Sequence, residues 1–203
     1  DVFSLGSVGI PQEFMYKLTD HRGRLMVLRP DSTLPIARLT ATRLQNESRP
    51  LRLYYNQTVY RNNPSLMRRS DEITQSGIEL LGASGRRADL EVMVTAVEAL
   101  SRCAPDFRIE LGHAGFFRAL AARLPITEEL REDIRTSIES KNYPALDLIL
   151  DRLEPTPEVL AIRRLPRLFG GEEVFDEAAS LCGNSEQANH TLGYLRELYH
   201  ALA

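Results

Sequence analysis

Basic excess is the first thing this sequence lacks: 25 Lys and Arg stand against 28 Asp and Glu, a formal net charge of −3 over 203 residues. A chain of that balance has no sequence-wide positive field to draw in a phosphate backbone, which counts against a dedicated RNA binder. Cysteine is scarce too. Cys103 and Cys182 are the two present, and neither falls in a CxxC or Cys/His cluster. Neither a zinc site nor a disulfide framework is therefore expected, and both read as buried free thiols. Long apolar runs are also missing. Nothing approaches the roughly 20 residues that span a bilayer, and the opening DVFSLGSVGI has neither a basic nor an apolar leader region. The expectation is a cytoplasmic protein with no membrane segment, no metal and no cofactor. The chain opens without Met and stops directly after a helical pattern, so both ends read as cuts within a longer protein. What is present is 43% hydrophobic content, enough for a real core, in a length that allows one domain or one and a half.

Residues 16–28, YKLTDHRGRLMVL, read as two short strands about a polar turn at Gly23. The stretch RPDSTLPIARLTATRL at 29–44 then changes to a helical period through Ile36, Leu39 and Leu44. Asp31, Ser32 or Thr33 can cap its start, and Pro35 suits the first turn, where a missing N–H costs nothing. LRLYYNQTVYR at 51–61 and EITQSGIELLG at 72–82 read as strand, long polar loop with Pro64 and Ser65, and strand. ADLEVMVTAVEALSRC at 88–103 is helical in period, and FRIELG at 107–112 reads as one more strand. The first half is therefore α+β. Past His113 strand signals stop, and five or so helical segments follow, punctuated by Pro125, Pro144, Pro155, Pro157 and Gly170-Gly171. No internal repeat or low-complexity tract interrupts them. The expected domains are 1–112 and 113–203.

Four segments carry chemistry: RPDST at 29–33, LYYNQTVYR at 53–61, the pair Arg68-Arg69, and ITQSGIELLG at 73–82. Asp31, Thr33, Gln75 and Glu79 supply carboxylate, hydroxyl and amide acceptors, and Arg61 a forked donor for a carboxylate or phosphate. Such a set suits an amino acid. Gln75, Gly77 and Glu79 are spaced by two, so a strand puts them on one face with the glycine leaving room between the polar pair. Arg61 shares that face if the neighbouring strands pair. Blander roles stay open at each position. Asp31 or Thr33 reads equally well as a helix cap, Arg61 alone as a surface arginine, and a Gln/Glu pair in a strand as a solvated face.

Together these segments resemble the class II aminoacyl-tRNA synthetase fold, specifically its histidyl member, whose elements run as an LRPEGT helix start, an FRxE motif 2 strand and an HQxGxE strand. Order and spacing agree across residues 14–112 without a gap. The resemblance implies an antiparallel sheet flanked by helices, a partial core lacking motif 1 and motif 3. Residues 113–203 would then be the mostly helical insertion between motif 2 and motif 3. It further implies that Asp31, Thr33 and Gln75 surround the α-ammonium of a bound histidine, and that Glu79 faces the imidazole. A carboxylate there favours the protonated or hydrogen-bonded ring. Arg61 would contact the amino acid's carboxylate or the α-phosphate of an adenylate.

The departures from the synthetase pattern bear on function. The acidic residue that reads the adenine amino group is replaced by Asn63, and the element Arg-x-x-x-Phe becomes Arg69-Ser-Asp-Glu-Ile73. Arg69 is thus a candidate for residual phosphate binding, without the aromatic platform for the base. The phrases MYKLTDHRGRLMVLRPDSTLPIARL, LRLYYNQTVYR, RSDEITQSGIELLGASGRRADLEV and FRIELGHAGFF are similar to the synthetase-like paralogues that regulate short-form ATP phosphoribosyltransferase. That resemblance implies a non-catalytic regulatory subunit that has lost aminoacylation. It would assemble with the ATP phosphoribosyltransferase catalytic subunit, self-associate through motif 1 of the full-length protein, and be required both for activity and for histidine feedback inhibition in the first step of histidine biosynthesis. Histidine is the implied ligand, and tRNA is not an expected partner. Two alternatives remain: a histidyl-tRNA synthetase catalytic-core fragment, and a free-standing histidine sensor. The basic RRLPR at 163–167 reads as a solvated face.

Overall fold

Half-buried and exposed side chains alternate along residues 51–57, the period of two that a strand with one covered face requires. The computed structural model describes residue 10, residues 12–62 and residues 70–203, and it joins β3 (Leu51–Tyr60) to β4 (Glu72–Leu81) as an antiparallel pair running from Leu51 opposite Leu81 to Tyr60 opposite Glu72. Odd-numbered residues of both strands turn to one face, with Val59 buried; the even face is open, and Tyr54 is 85% exposed. Ahead of them, β1 (Lys17–Thr19) and β2 (Leu25–Val27) form the expected hairpin. Its turn is closed by Asp20, whose Oδ1 accepts the backbone N–H groups of Arg22 and Arg24 while Oδ2 accepts from Arg24 Nε at 2.7 Å. Gly23 sits there at φ 76°, a conformation that costs glycine least.

Helix α1 (Thr33–Thr42) follows β2 as the period predicts, and α2 (Arg86–Cys103) follows β4. The chain divides into two compact units, Asp1–Ala96 and Val97–Ala203. In the first unit, extended backbone knits the hairpins together: Tyr60 N–H donates to Arg29 O at 2.8 Å, and Asn62 N–H to Phe14 O at 3.0 Å. The result is that residues 29–33 are carried across the odd face of β3 and β4.

The second unit is helical, with α3 (Ala114–Ala121), α4 (Glu128–Glu139), α5 (Tyr143–Leu150), α6 (Pro157–Arg164), α7 (Glu173–Cys182) and α8 (Glu186–Leu202). The punctuation in the sequence marks their starts. Pro157 opens α6 behind Thr156, whose hydroxyl accepts from Val159 N–H, and Pro144 sits in the first turn of α5 behind Asn142. Leu120, Ile134, Leu146, Leu150, Ile162 and Cys182 are sealed in the core these helices share.

Two expectations fail here. Residues 107–112 form no strand; a strand exists only with a ladder partner, none of the described residues pairs with this segment, and Phe107 and Ile109 are 40% and 42% exposed. Of the thiols, Cys182 is buried but Cys103, in the last turn of α2, is exposed. The RRLPR run keeps Arg164 and Arg167 exposed, as expected of a solvated face, and its arginines are ion-paired there. Arg163 bridges Asp147 at 3.1 Å and Asp151 at 2.6 Å, Arg167 reaches Asp147 at 3.1 Å, and Arg164 pairs with Glu177. Its charges tie α5, α6 and α7 together. Among the described residues there are two two-stranded antiparallel sheets and eight α-helices, an α+β architecture. No described helix is long and apolar enough to cross a membrane.

Candidate functional site

The odd face of β3 and β4 gathers the polar residues singled out in the sequence. Gln75, Gly77 and Glu79 lie in a row along β4, directly opposite Gln57, Tyr55 and Leu53 of β3. Arg61 extends the ladder by one residue, its N–H donating to Asp71 O at 2.9 Å, and its side chain turns over the same face toward residues 30 and 31.

Side-chain contacts pin residues 29–33 onto this row. Arg61 Nε donates to Pro30 O at 2.9 Å, and its terminal nitrogen stands 3.9 Å from Asp31 Oδ2. Gln57 Nε2 donates to the fully buried Ser32 Oγ at 2.7 Å. Thr33 Oγ1 donates to Glu79 Oε1, also at 2.7 Å. Asp31 divides its carboxylate, with Oδ1 accepting Thr33 N–H at 2.7 Å in the first turn of α1. Asp31 therefore does satisfy one orphan donor of the helix start, whereas Ser32, at the N-cap position, makes no side-chain cap bond and Thr33 turns to β4 instead.

All five candidates in the described residues, Asp31, Thr33, Arg61, Gln75 and Glu79, are thereby brought to one face. Arg68, Arg69 and Asn63 lie outside the described residues. Ile73 stands opposite Val59 at the end of the row and is 42% exposed.

Three further residues belong to the site. Ser32 and Gln57 anchor the loop, and Tyr55 fills the room that Gly77 leaves: a Cβ at position 77 would collide with the Tyr55 Cζ and hydroxyl. Burial, reinforced by the Glu79 and Asp31 carboxylates and opposed by Arg61, pushes the Tyr55 phenol above its ordinary value of 10.0. Gln75 Oε1 is shielded from solvent and has no hydrogen-bond partner among the described residues. A buried acceptor left open in this way is costly unless something fills it. Two carboxylates, a guanidinium and an open amide acceptor on one surface suit the opposite charges of a zwitterion. Among the described residues no group of three or more His, Cys, Asp or Glu could hold a metal ion.

The chain is similar to known proteins over nearly its whole length. A family model described as histidyl-tRNA synthetase matches residues 4–203. A relative from Clostridium acetobutylicum, named ATP phosphoribosyltransferase regulatory subunit, is 42% identical over 205 residues, covering 98% of this chain and 50% of that protein. The crystal structure of an ATP phosphoribosyltransferase regulatory subunit/histidyl-tRNA synthetase from Bacillus halodurans superposes with a TM-score of 0.85 at 33% identity, over 95% of this chain and 50% of that one. A histidine–tRNA ligase subunit from Alicyclobacillus acidocaldarius superposes with a TM-score of 0.72 at 25% identity, over 95% and 60% of the two chains. The chain spans about half the length of the curated relatives it matches.

Proposed function

Because the chain belongs to the histidyl-tRNA synthetase family, we propose that it is part of a regulatory subunit of ATP phosphoribosyltransferase, one that binds histidine and has lost aminoacylation. The observation that carries this reading is identity of 39% to 42%, over nearly the whole chain, to proteins named ATP phosphoribosyltransferase regulatory subunit. In this reading residues 1–112 are a partial synthetase-like core and residues 113–203 an insertion. The full-length protein works in the cytoplasm and self-associates through motif 1.

Asp31, Thr33 and Gln75 take the α-ammonium, Glu79 the imidazole and Arg61 the carboxylate. The convergence of these groups on one face supports the assignment, as does the open acceptor on Gln75. By sequence position, Asn63 and Ile73 replace the residues with which a synthetase would hold adenine, which supports loss of ATP activation; Arg69 is the group that could still meet a phosphate. The short-form catalytic subunit would depend on this partner for activity, and histidine would inhibit the complex by binding its two states unequally.

The competing reading is a fragment of an active synthetase, favoured by the family model's own description and by the Alicyclobacillus neighbour. Pyrophosphate exchange with histidine and ATP on the full-length protein separates the two. We expect no exchange, together with activation of a phosphoribosyltransferase catalytic subunit that histidine reverses. Robust exchange would overturn the regulatory reading.

A further inference from the structure

We propose that Tyr16 and Asp71 are a positioning pair for Arg61: by donating to the Asp71 carboxylate, the Tyr16 hydroxyl holds the arginine where it meets the carboxylate of a bound amino acid. This rests on the histidine-binding reading above and adds to it two residues that act on the ligand only through Arg61.

Where a guanidinium stands is set by its own backbone and by the acceptor that its Nε uses. For Arg61 both lead to Tyr16. The Arg61 backbone N–H donates to Asp71 O at 2.9 Å, and the side chain of the same Asp71 accepts from the Tyr16 hydroxyl. Arg61 Nε donates to Pro30 O, also at 2.9 Å. Two residues before Pro30, Leu28 N–H donates to Tyr16 O at 2.9 Å and so continues the β1–β2 hairpin past Lys17 opposite Val27. The contacts close a ring that runs from Tyr16 to Asp71, Arg61 and Pro30 and back through Leu28 to Tyr16. Its one bond between two side chains is that of Tyr16 to Asp71. Beside the ring, Asn62 N–H and Nδ2 donate to Phe14 O and Glu13 O, each at 3.0 Å, and secure the neighbour of Arg61 to the same segment.

Tyr16 and Asp71 are both half-buried, where a hydrogen bond meets less competition from water. The bond to Asp71, followed by burial and by the charge of that carboxylate, raises the phenol above its ordinary value, so it stays a donor. With Nε held by Pro30 O, the terminal nitrogens of Arg61 are left to face a ligand carboxylate, and one of them stands 3.9 Å from Asp31 Oδ2. Loss of the Tyr16 hydroxyl opens the ring at Asp71. The aim of the arginine then suffers, whereas the groups assigned to the ammonium and the imidazole keep their places on β4 and α1.

The test uses the full-length protein and calorimetric titration with histidine and with histidinol, in which a hydroxymethyl group replaces the carboxylate. Arg61→Ala sets the scale and should erase the preference for histidine. Tyr16→Phe is expected to weaken histidine binding about three- to tenfold, the worth of one hydrogen bond, and to leave histidinol binding within about twofold. Asp71→Ala should do the same, while Asp71→Asn keeps an oxygen to accept the hydroxyl and should restore most of the preference. A tyrosine that only supported the fold would weaken both ligands alike. Equal weakening of the two ligands, or an unchanged preference, in Tyr16→Phe and Asp71→Ala overturns the positioning pair and leaves the histidine reading standing. A preference that survives Arg61→Ala overturns the carboxylate contact and the pair with it. Failure of the wild-type protein to bind histidine at all overturns both the pair and the histidine reading.

Discussion

Thr33 and Glu79, 46 positions apart in the sequence, meet through a 2.7 Å hydrogen bond from hydroxyl to carboxylate that fastens the first turn of α1 to β4. The pair joins two of the four chemistry-bearing segments directly, and both side chains are partly open to solvent, so the bond competes with water. A double-mutant cycle over Thr33→Val and Glu79→Gln in urea denaturation should give a coupling of about 0.5–1 kcal/mol. Additive effects would mean that the hydroxyl and the carboxylate do not depend on each other in solution.

Glu79 should also outweigh Asn63 in ligand binding. On the proposed reading, Glu79→Ala removes a carboxylate that faces the imidazole and costs about 1.5–3 kcal/mol of histidine affinity. Asn63 takes the sequence position that reads adenine in a synthetase, so Asn63→Ala should change it little. Calorimetry on the full-length variants decides this, and equal, small losses would remove Glu79 from the site.

The polar row was legible in the sequence because it needs only the period of two: Gln75, Gly77 and Glu79 share a face in any strand. The start of α1 was legible from RPDST for a similarly local reason. Tyr55, Gln57 and Ser32 were not, since each gains its role from a residue far along the chain, Tyr55 from Gly77 opposite it, Gln57 and Ser32 from each other. A tyrosine placed opposite a glycine was the signal available, and it needed the register first. The same limit explains FRIELG, whose local pattern is that of a strand but whose ladder partner is not among the described residues. It also explains RRLPR, whose acidic partners sit on α5 and α7.

Alkaline titration reads the Tyr55 environment without ligand. A phenol whose folded pKa is raised contributes stability that is intact below its unfolded value, about 10, and is lost as pH rises through the folded value. Tyr16, which donates to Asp71, is raised as well, first by that hydrogen bond. Tyr55→Phe should therefore remove one late-ionising component from the tyrosinate absorbance and leave the protein losing less stability between neutral and alkaline pH. Loss of a component near pH 10 instead of a late one would place the Tyr55 hydroxyl in ordinary solvent.

The thiols should behave as opposites. Cys182 is sealed in the helical core, and burial raises its pKa against the pull of the Arg123 guanidinium. Cys103 is exposed. Brief labelling of the native protein, mapped by mass spectrometry, should modify Cys103 and spare Cys182 until the unit unfolds, because the thiolate is the reactive form and access is required as well. Equal labelling would show that the α7 end opens readily.

Helical-unit stability should depend on which face of a helix is cut back. Ile134 on α4 is fully buried in the core that the helices of this unit share, and Ile134→Ala should cost about 2–5 kcal/mol through lost transfer energy and the cavity left behind. Leu148 on α5 is just as apolar but 64% exposed, so Leu148→Ala should stay within about 0.5 kcal/mol. Thr156→Ala falls between them at about 1 kcal/mol, since it strips the oxygen that accepts Val159 N–H at the start of α6 and leaves packing intact. Thermal or urea unfolding of the three variants gives the ranking. If Leu148→Ala proved as damaging as Ile134→Ala, Leu148 would have to be covered in the full-length protein, which would make the outer face of α5 an interface.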